Sequence, residues 1–166
     1  MKNSARLAWF AALGGSLGIW LYLTLFPSPQ RVIRGKLEHL ARSASFGSKE
    51  GVLTRLAHAQ SLGDYFCTNV DVCLDIPRHE TRQFVGREDI VEAAMATRTQ
   101  AGALKVQFPN ISIKVSPDKQ TAVVELTLEA SVQGEPDPIV EELNLTLRKI
   151  GGEWLITRVK SIHGVS

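Results

Sequence analysis

The sequence predicts an α+β domain in which a curved antiparallel sheet packs on three helices, preceded by a single transmembrane helix. Three observations carry this prediction. Residues 7–26 hold no charge, three segments between residues 31 and 100 repeat apolar side chains at helical spacing, and the remainder alternates apolar and polar residues between short turns. The 166 residues, 44% hydrophobic and 22% charged, suit one globular domain. With 19 basic and 17 acidic side chains the net charge is +2, and no clustered basic face marks a nucleic-acid partner.

The uncharged run "LAWFAALGGSLGIWLYLTLF" covers 20 residues, Leu7 to Phe26, and as a helix would be about 30 Å long, the thickness of a hydrocarbon core. A cleaved signal peptide has a shorter apolar region, about 7–15 residues, and ends in a small-x-small site. Here the run ends "TLFPSPQ", while Trp9, Trp20 and Tyr22 suit the two membrane interfaces. An uncleaved anchor over residues 1–28 is therefore expected, followed by a folded domain over residues 29–166. Lys2 and Arg6 precede the span and Arg31, Arg34, Lys36 and Arg42 follow it, so the positive charges do not themselves favour export. The short N-terminal tail matches ordinary signal anchors, and the expectation is a domain outside the cytoplasm. Gly14 and Gly18 form a G-x-x-x-G that brings two helices together in some proteins and is background glycine in others.

After "PSPQ", a stiff break, "RVIRGKLEHLARSAS" sets Val32, Ile33, Leu37, Leu40 and Ala41 on one helical stripe. "KEGVLTRLAHAQSL" forms a second helix with Ser48 as N-cap and Val52, Leu53, Leu56, Ala59 and Leu62 at helical spacing. "NVDVCLDIP" alternates as a strand, with Val70, Val72, Leu74 and Ile76 on one face and Asp71, Cys73 and Asp75 on the other. "RHETRQFV" reads as a short strand or loop. "GREDIVEAAMATRTQ" is the third helix, with Glu88 and Asp89 where the helix dipole favours acids and Ile90, Ala94 and Met95 inward. "LKVQFPNISIKV" bends at Pro109, and "TAVVELTLEASV", "IVEELNLTLRKI" and "EWLITRVKSI" complete the sheet. Cys67 and Cys73, six residues apart, would lie about 20 Å from each other in a straight strand, well beyond the roughly 7 Å a disulfide spans. They read as small buried hydrophobes.

This order of elements resembles the nuclear transport factor 2-like superfamily, with its SnoaL-like and ketosteroid isomerase-like domains. The resemblance covers about residues 35–163. It rests on "VGREDIVEAA", similar to the family's glycine-opened third helix, and on the closing hairpin "GGEWLITRV". It implies a cone of curved sheet wrapped around helices, with a pocket at the open end. It also implies that the outer sheet face can pair with a second subunit. It does not imply one chemistry, because the superfamily includes enzymes, transport factors and scaffolds.

Asp75 in "CLDIP" sits where isomerase-like members carry a carboxylate base, which would need an oxyanion partner. The first two helices offer no tyrosine, and Tyr65 follows the second. His79 lies near enough in sequence for a dehydratase-like acid–base pair, although "PRHETR" reads as a solvated loop. A lone aspartate before a proline turn is most often a turn former. D-x-x-x-H by itself falls short of a metal site, His58 reads as a core-edge residue and His163 lies near the chain end. Glu125, Thr127 and Glu129, then Glu142, Asn144, Thr146 and Arg148, then Arg158 and Lys160, form a polar sheet face, with opposite charges expected to pair across strands. There is no Gly-rich phosphate loop and no G-x-S-x-G. No cofactor and no metal are expected. Two readings follow: a non-enzymatic, membrane-anchored domain that binds a partner or small apolar ligand and forms a homodimer through the sheet face, or an isomerase or dehydratase using Asp75 with His79 or Tyr65.

Overall fold

A computed structural model describes residues 28–74 and 82–162. Ser28 opens the first helix, α1 (Pro29–Ala44), its side chain accepting from the Arg31 amide, with Pro29 in the first turn where its missing N–H costs nothing. The proline-rich break is thus the start signal of the helix. Ile33, Leu37, Leu40 and Ala41 form its buried face, as the spacing predicts, whereas Val32 is exposed.

The second helix, α2 (Val52–Gly63), starts later than its pattern suggests and is capped by Gly51, not Ser48. Its apolar stripe is largely outside: Val52 is 74% and Leu53 82% exposed, and burial is confined to Ala59 and Gly63. The reason is a narrow line of contact with the third helix, α3 (Arg87–Gln100). A Cβ at Gly63 would stand 2.8 Å from Val91 Cγ2, so the glycine allows the close approach and the first turns of α2 splay off the core.

Seven strands form one sheet: β1 (Phe66–Leu74), β2 (Arg82–Val85), β3 (Leu104–Gln107), β4 (Ile111–Val115), β5 (Thr121–Val132), β6 (Ile139–Ile150) and β7 (Glu153–Ser161). The order is β2-β1-β7-β6-β5-β3, with β4 also on β5. The expected wholly antiparallel sheet needs one correction, since β1 runs parallel to β7. The chain enters the sheet at β1, turns back through β2 and α3, and builds the meander β5-β6-β7 from the far side, so its last strand arrives beside the first in the same direction. Pro109 divides the β5 partner in two, with β3 opposite Glu129–Val132 and β4 opposite Ala122–Leu126. The Thr127 amide donates to the Asn110 carbonyl across the break.

Curvature has a local cause. The β6–β7 register slips between Thr146 and Leu147, and the β1–β7 register slips between Phe66 and Asp71, both at the level of Thr157. The Thr157 hydroxyl donates to the Thr146 carbonyl at 3.1 Å. The concave face receives α1, and the core there comprises Ile33, Leu37, Leu40, Phe66, Val70, Val72, the inward residues of β5 to β7, and Trp154.

The polar face departs from the expected charge ladder. Glu125 lies opposite Asn144, Thr127 opposite Glu142, and Thr146 opposite Arg158. The ion pairs form one strand out, between Asp71 and Arg158 at 3.7 Å and between Lys114 and Glu125 at 4.0 Å. Cys67 and Cys73 are both free thiols.

In the β4–β5 turn Asp118 accepts from the Ser116 hydroxyl and, at 3.0 Å, from the Gln120 amide. These bonds, the Ser116 one foremost, hold its carboxyl below the usual range. A depressed folded value stabilises the turn above the ordinary carboxylate pKa of about 3.9, and that contribution is lost as the pH falls through the folded value. Protection of the Gln120 amide from hydrogen exchange should therefore hold at about pH 5 and fall away below about 3.9, and Asp118→Asn should remove this acid-dependent step.

Candidate functional site

The cone encloses an apolar cavity of about 270 Å³, partly open to solvent. Leu40 and Ala44 of α1, Leu62 of α2, and Ile90 and Ala93 of α3 line its helical side. The sheet contributes Phe66, Val72 and Leu74 from β1, Phe84 from β2 and Val106 from β3, together with Leu126, Leu128, Leu143, Leu145, Ile156 and Val159 from the central strands. Strand alternation explains the set, because every second residue of β5, β6 and β1 faces the helices. Among the described residues none of the lining side chains titrates, donates or accepts a strong hydrogen bond. This lining can solvate hydrocarbon, but it offers no group to move a proton.

Of the three candidate catalytic residues, Asp75 and His79 lie outside the described residues. Tyr65 is described and does not line the cavity. It packs partly buried against the core beside α1, where its hydroxyl and that of Ser43 are 3.3 Å apart and its ring lies 5.8 Å from Lys36 Nζ. Burial pushes the Lys36 ammonium below its ordinary range, against the opposing pull of Glu153, 3.8 Å away, and of Asp64. On β1, Asp71 and Cys73 sit opposite Arg158 and Lys160 of β7.

A second, polar pocket of about 240 Å³ lies between α1 and α2, lined by His39, Arg42, Ser43, Ser45, His58 and Ser61. Of its lining groups Arg42 stands in the last turn of α1, where it complements the helix dipole. His58 Nδ1 lies 3.1 Å from Glu50 Oε1, so this exposed histidine belongs to a polar network around Glu50 and not to the core edge. The partner of Glu50 on its other oxygen is Arg98, at 2.8 Å. Arg98 is 2% exposed, donates also to the Ser43 carbonyl, and lies 4.8 Å from the Phe46 ring. Sequence reasoning passed over Arg98. The signal was there, because Arg98 continues the inward stripe Ile90–Ala94 at a spacing of four. No group of three or more His, Cys, Asp or Glu among the described residues could hold a metal ion.

The expected span, Leu7–Phe26, lies outside the described residues. No helix among the described residues is long and apolar enough to cross a membrane.

No protein family and no curated protein matches the sequence. Solved structures do match in fold, and they are nuclear transport factor 2-like and cystatin-like proteins. A nuclear transport factor 2-like protein from Pseudomonas putida KT2440 aligns at a TM-score of 0.60 and 10% identity, over 81% of this chain and 85% of that one. A cystatin-like protein from Caulobacter vibrioides aligns at 0.60 and 13%, over 80% and 87%. A Novosphingobium aromaticivorans protein provisionally named a scytalone dehydratase aligns at 0.57 and 15%, over 81% and 84%. Likeness at these identities defines the α+β cone and leaves the chemistry to the site.

Proposed function

We propose that the domain binds the apolar part of a small molecule in the cone without turning it over, and that residues 7–26 hold it at a membrane, outside the cytoplasm. The observation that carries this is the cavity lining, which among the described residues is wholly apolar. A base or acid would have to be desolvated there without a partner, at a penalty of several kcal/mol. The membrane part rests on the length and lack of charge of residues 7–26.

A second copy on the outer sheet face belongs to the same reading. That face exposes Val123 and Val140. It carries Glu125 and Glu142 toward one side and Arg158 and Lys160 toward the other, so a two-fold pairing could set acid against base. The catalytic alternative is an isomerase or dehydratase with Asp75 as general base, helped by His79 or Tyr65. It draws on the dehydratase name of one fold relative.

The test uses the full chain in lipid nanodiscs, with empty discs subtracted, and follows 2-naphthol by its fluorescence. Saturable binding is expected, and Ala93→Trp, which puts an indole into the cavity from α3, should weaken it at least tenfold while the thermal unfolding transition is retained. Binding that is unaltered in Ala93→Trp would place the ligand elsewhere and overturn the reading.

A further inference from the structure

Resting on that reading, we infer that the ligand group taken into the cone is a hydrocarbon of about ten carbons whose polar end stays outside. Volume sets the size. An apolar protein cavity of about 150 Å³ holds benzene, so each carbon claims about 25 Å³. On that scale a cavity of about 270 Å³ takes ten or eleven carbons, a decyl chain or a fused two-ring system. A four-ring steroid nucleus, with seventeen carbons, needs more than about 400 Å³ on the same scale.

The sheet wall resists parting to admit the larger group. Val72, Leu126, Leu143, Leu145, Ile156 and Val159 line the cavity and are at the same time buried members of the main core, on neighbouring strands of one hydrogen-bonded sheet. Interiors packed to crystal density resist such dilation. Composition sets the polarity. None of the described lining side chains could replace the water lost by a hydroxyl or carbonyl carried inside, so a polar group there should weaken binding about tenfold or more. The preferred molecule therefore has its functional group at one end only.

The experiment displaces 2-naphthol from the full chain in nanodiscs with unbranched 1-alkanols from hexanol to hexadecanol. Affinity should rise about three- to fourfold per methylene up to ten or eleven carbons and then level off. Decane-1,10-diol should bind at least tenfold more weakly than 1-decanol. A rise that continues to hexadecanol, or androstane competing as well as 1-decanol, overturns the size limit, and a diol equal to 1-decanol overturns the polarity. If 2-naphthol itself does not bind the wild-type chain, the underlying reading fails and this inference with it. If it binds and the cutoff is missing, this inference alone fails.

Discussion

Replacing Glu50 by alanine is expected to destabilise the domain by about 3–5 kcal/mol and to lower its melting temperature by about 10 °C or more. Glu50 is the carboxylate that faces Arg98, and the arginine is 2% exposed. A guanidinium keeps its charge at any working pH, so without Glu50 that charge remains in the interior with the Ser43 carbonyl and the Phe46 ring as its remaining partners. Arg98→Met should cost less, because it removes the buried charge along with the pair and leaves Glu50 beside His58. The double variant Glu50→Gln, Arg98→Met should lie closer to wild type than Glu50→Ala does. Urea unfolding of the four proteins measures this. A loss under about 1 kcal/mol for Glu50→Ala would mean that Arg98 reaches water in solution.

Trp154→Ala should cost about 3–5 kcal/mol. Trp154 is 5% exposed, belongs to the main core, and pairs with Lys149 directly after the turn Gly151–Gly152. That turn has φ values of 60° and 90°, the left-handed pair that a two-residue hairpin matching the strand twist demands. The closing hairpin therefore brings a large aromatic ring into the core at the end of the sheet. Gly152→Ala should cost about 1–2 kcal/mol, since it strains the turn without opening a void. Equal losses in the two variants would show that the turn, and not the ring, secures the hairpin.

Much of the fold is legible in the sequence because burial repeats with the period of each element. Ile33–Leu37–Leu40 marks the inner face of α1, and the alternation from Ala122 along β5 marks both faces of that strand. Pro109 marks the split between β3 and β4 because it has no N–H to give β5. What fails does so where one residue's neighbours come from distant chain. Val52, Leu53 and Leu56 have the spacing of a buried stripe, but Gly63 fixes α2 against α3 at its other end and leaves them outside. The charges of β5 to β7 look like cross-strand partners until register sets Glu125 opposite Asn144 and gives Arg158 to Asp71. The cavity is legible only in part. Alternation supplies each wall, and the enclosed volume depends on how far the bulges at Thr157 curl the sheet. Tyr65 has the chemistry of an oxyanion donor, but its position after α2 turns it toward Ser43 and Lys36.

The parallel neighbours β1 and β7 have a consequence for how the chain is born. Residues 66–74 leave the ribosome well before residues 153–161, yet each strand supplies the other's hydrogen bonds at the middle of the sheet. Until the last strand emerges, Phe66, Val70 and Val72 belong to a nascent hairpin with one side unpaired, the kind of edge that recruits other strands. Closing so long a loop also makes folding slow for a domain of this size. Chains stalled before Glu153 should therefore depend on chaperones far more than finished ones do.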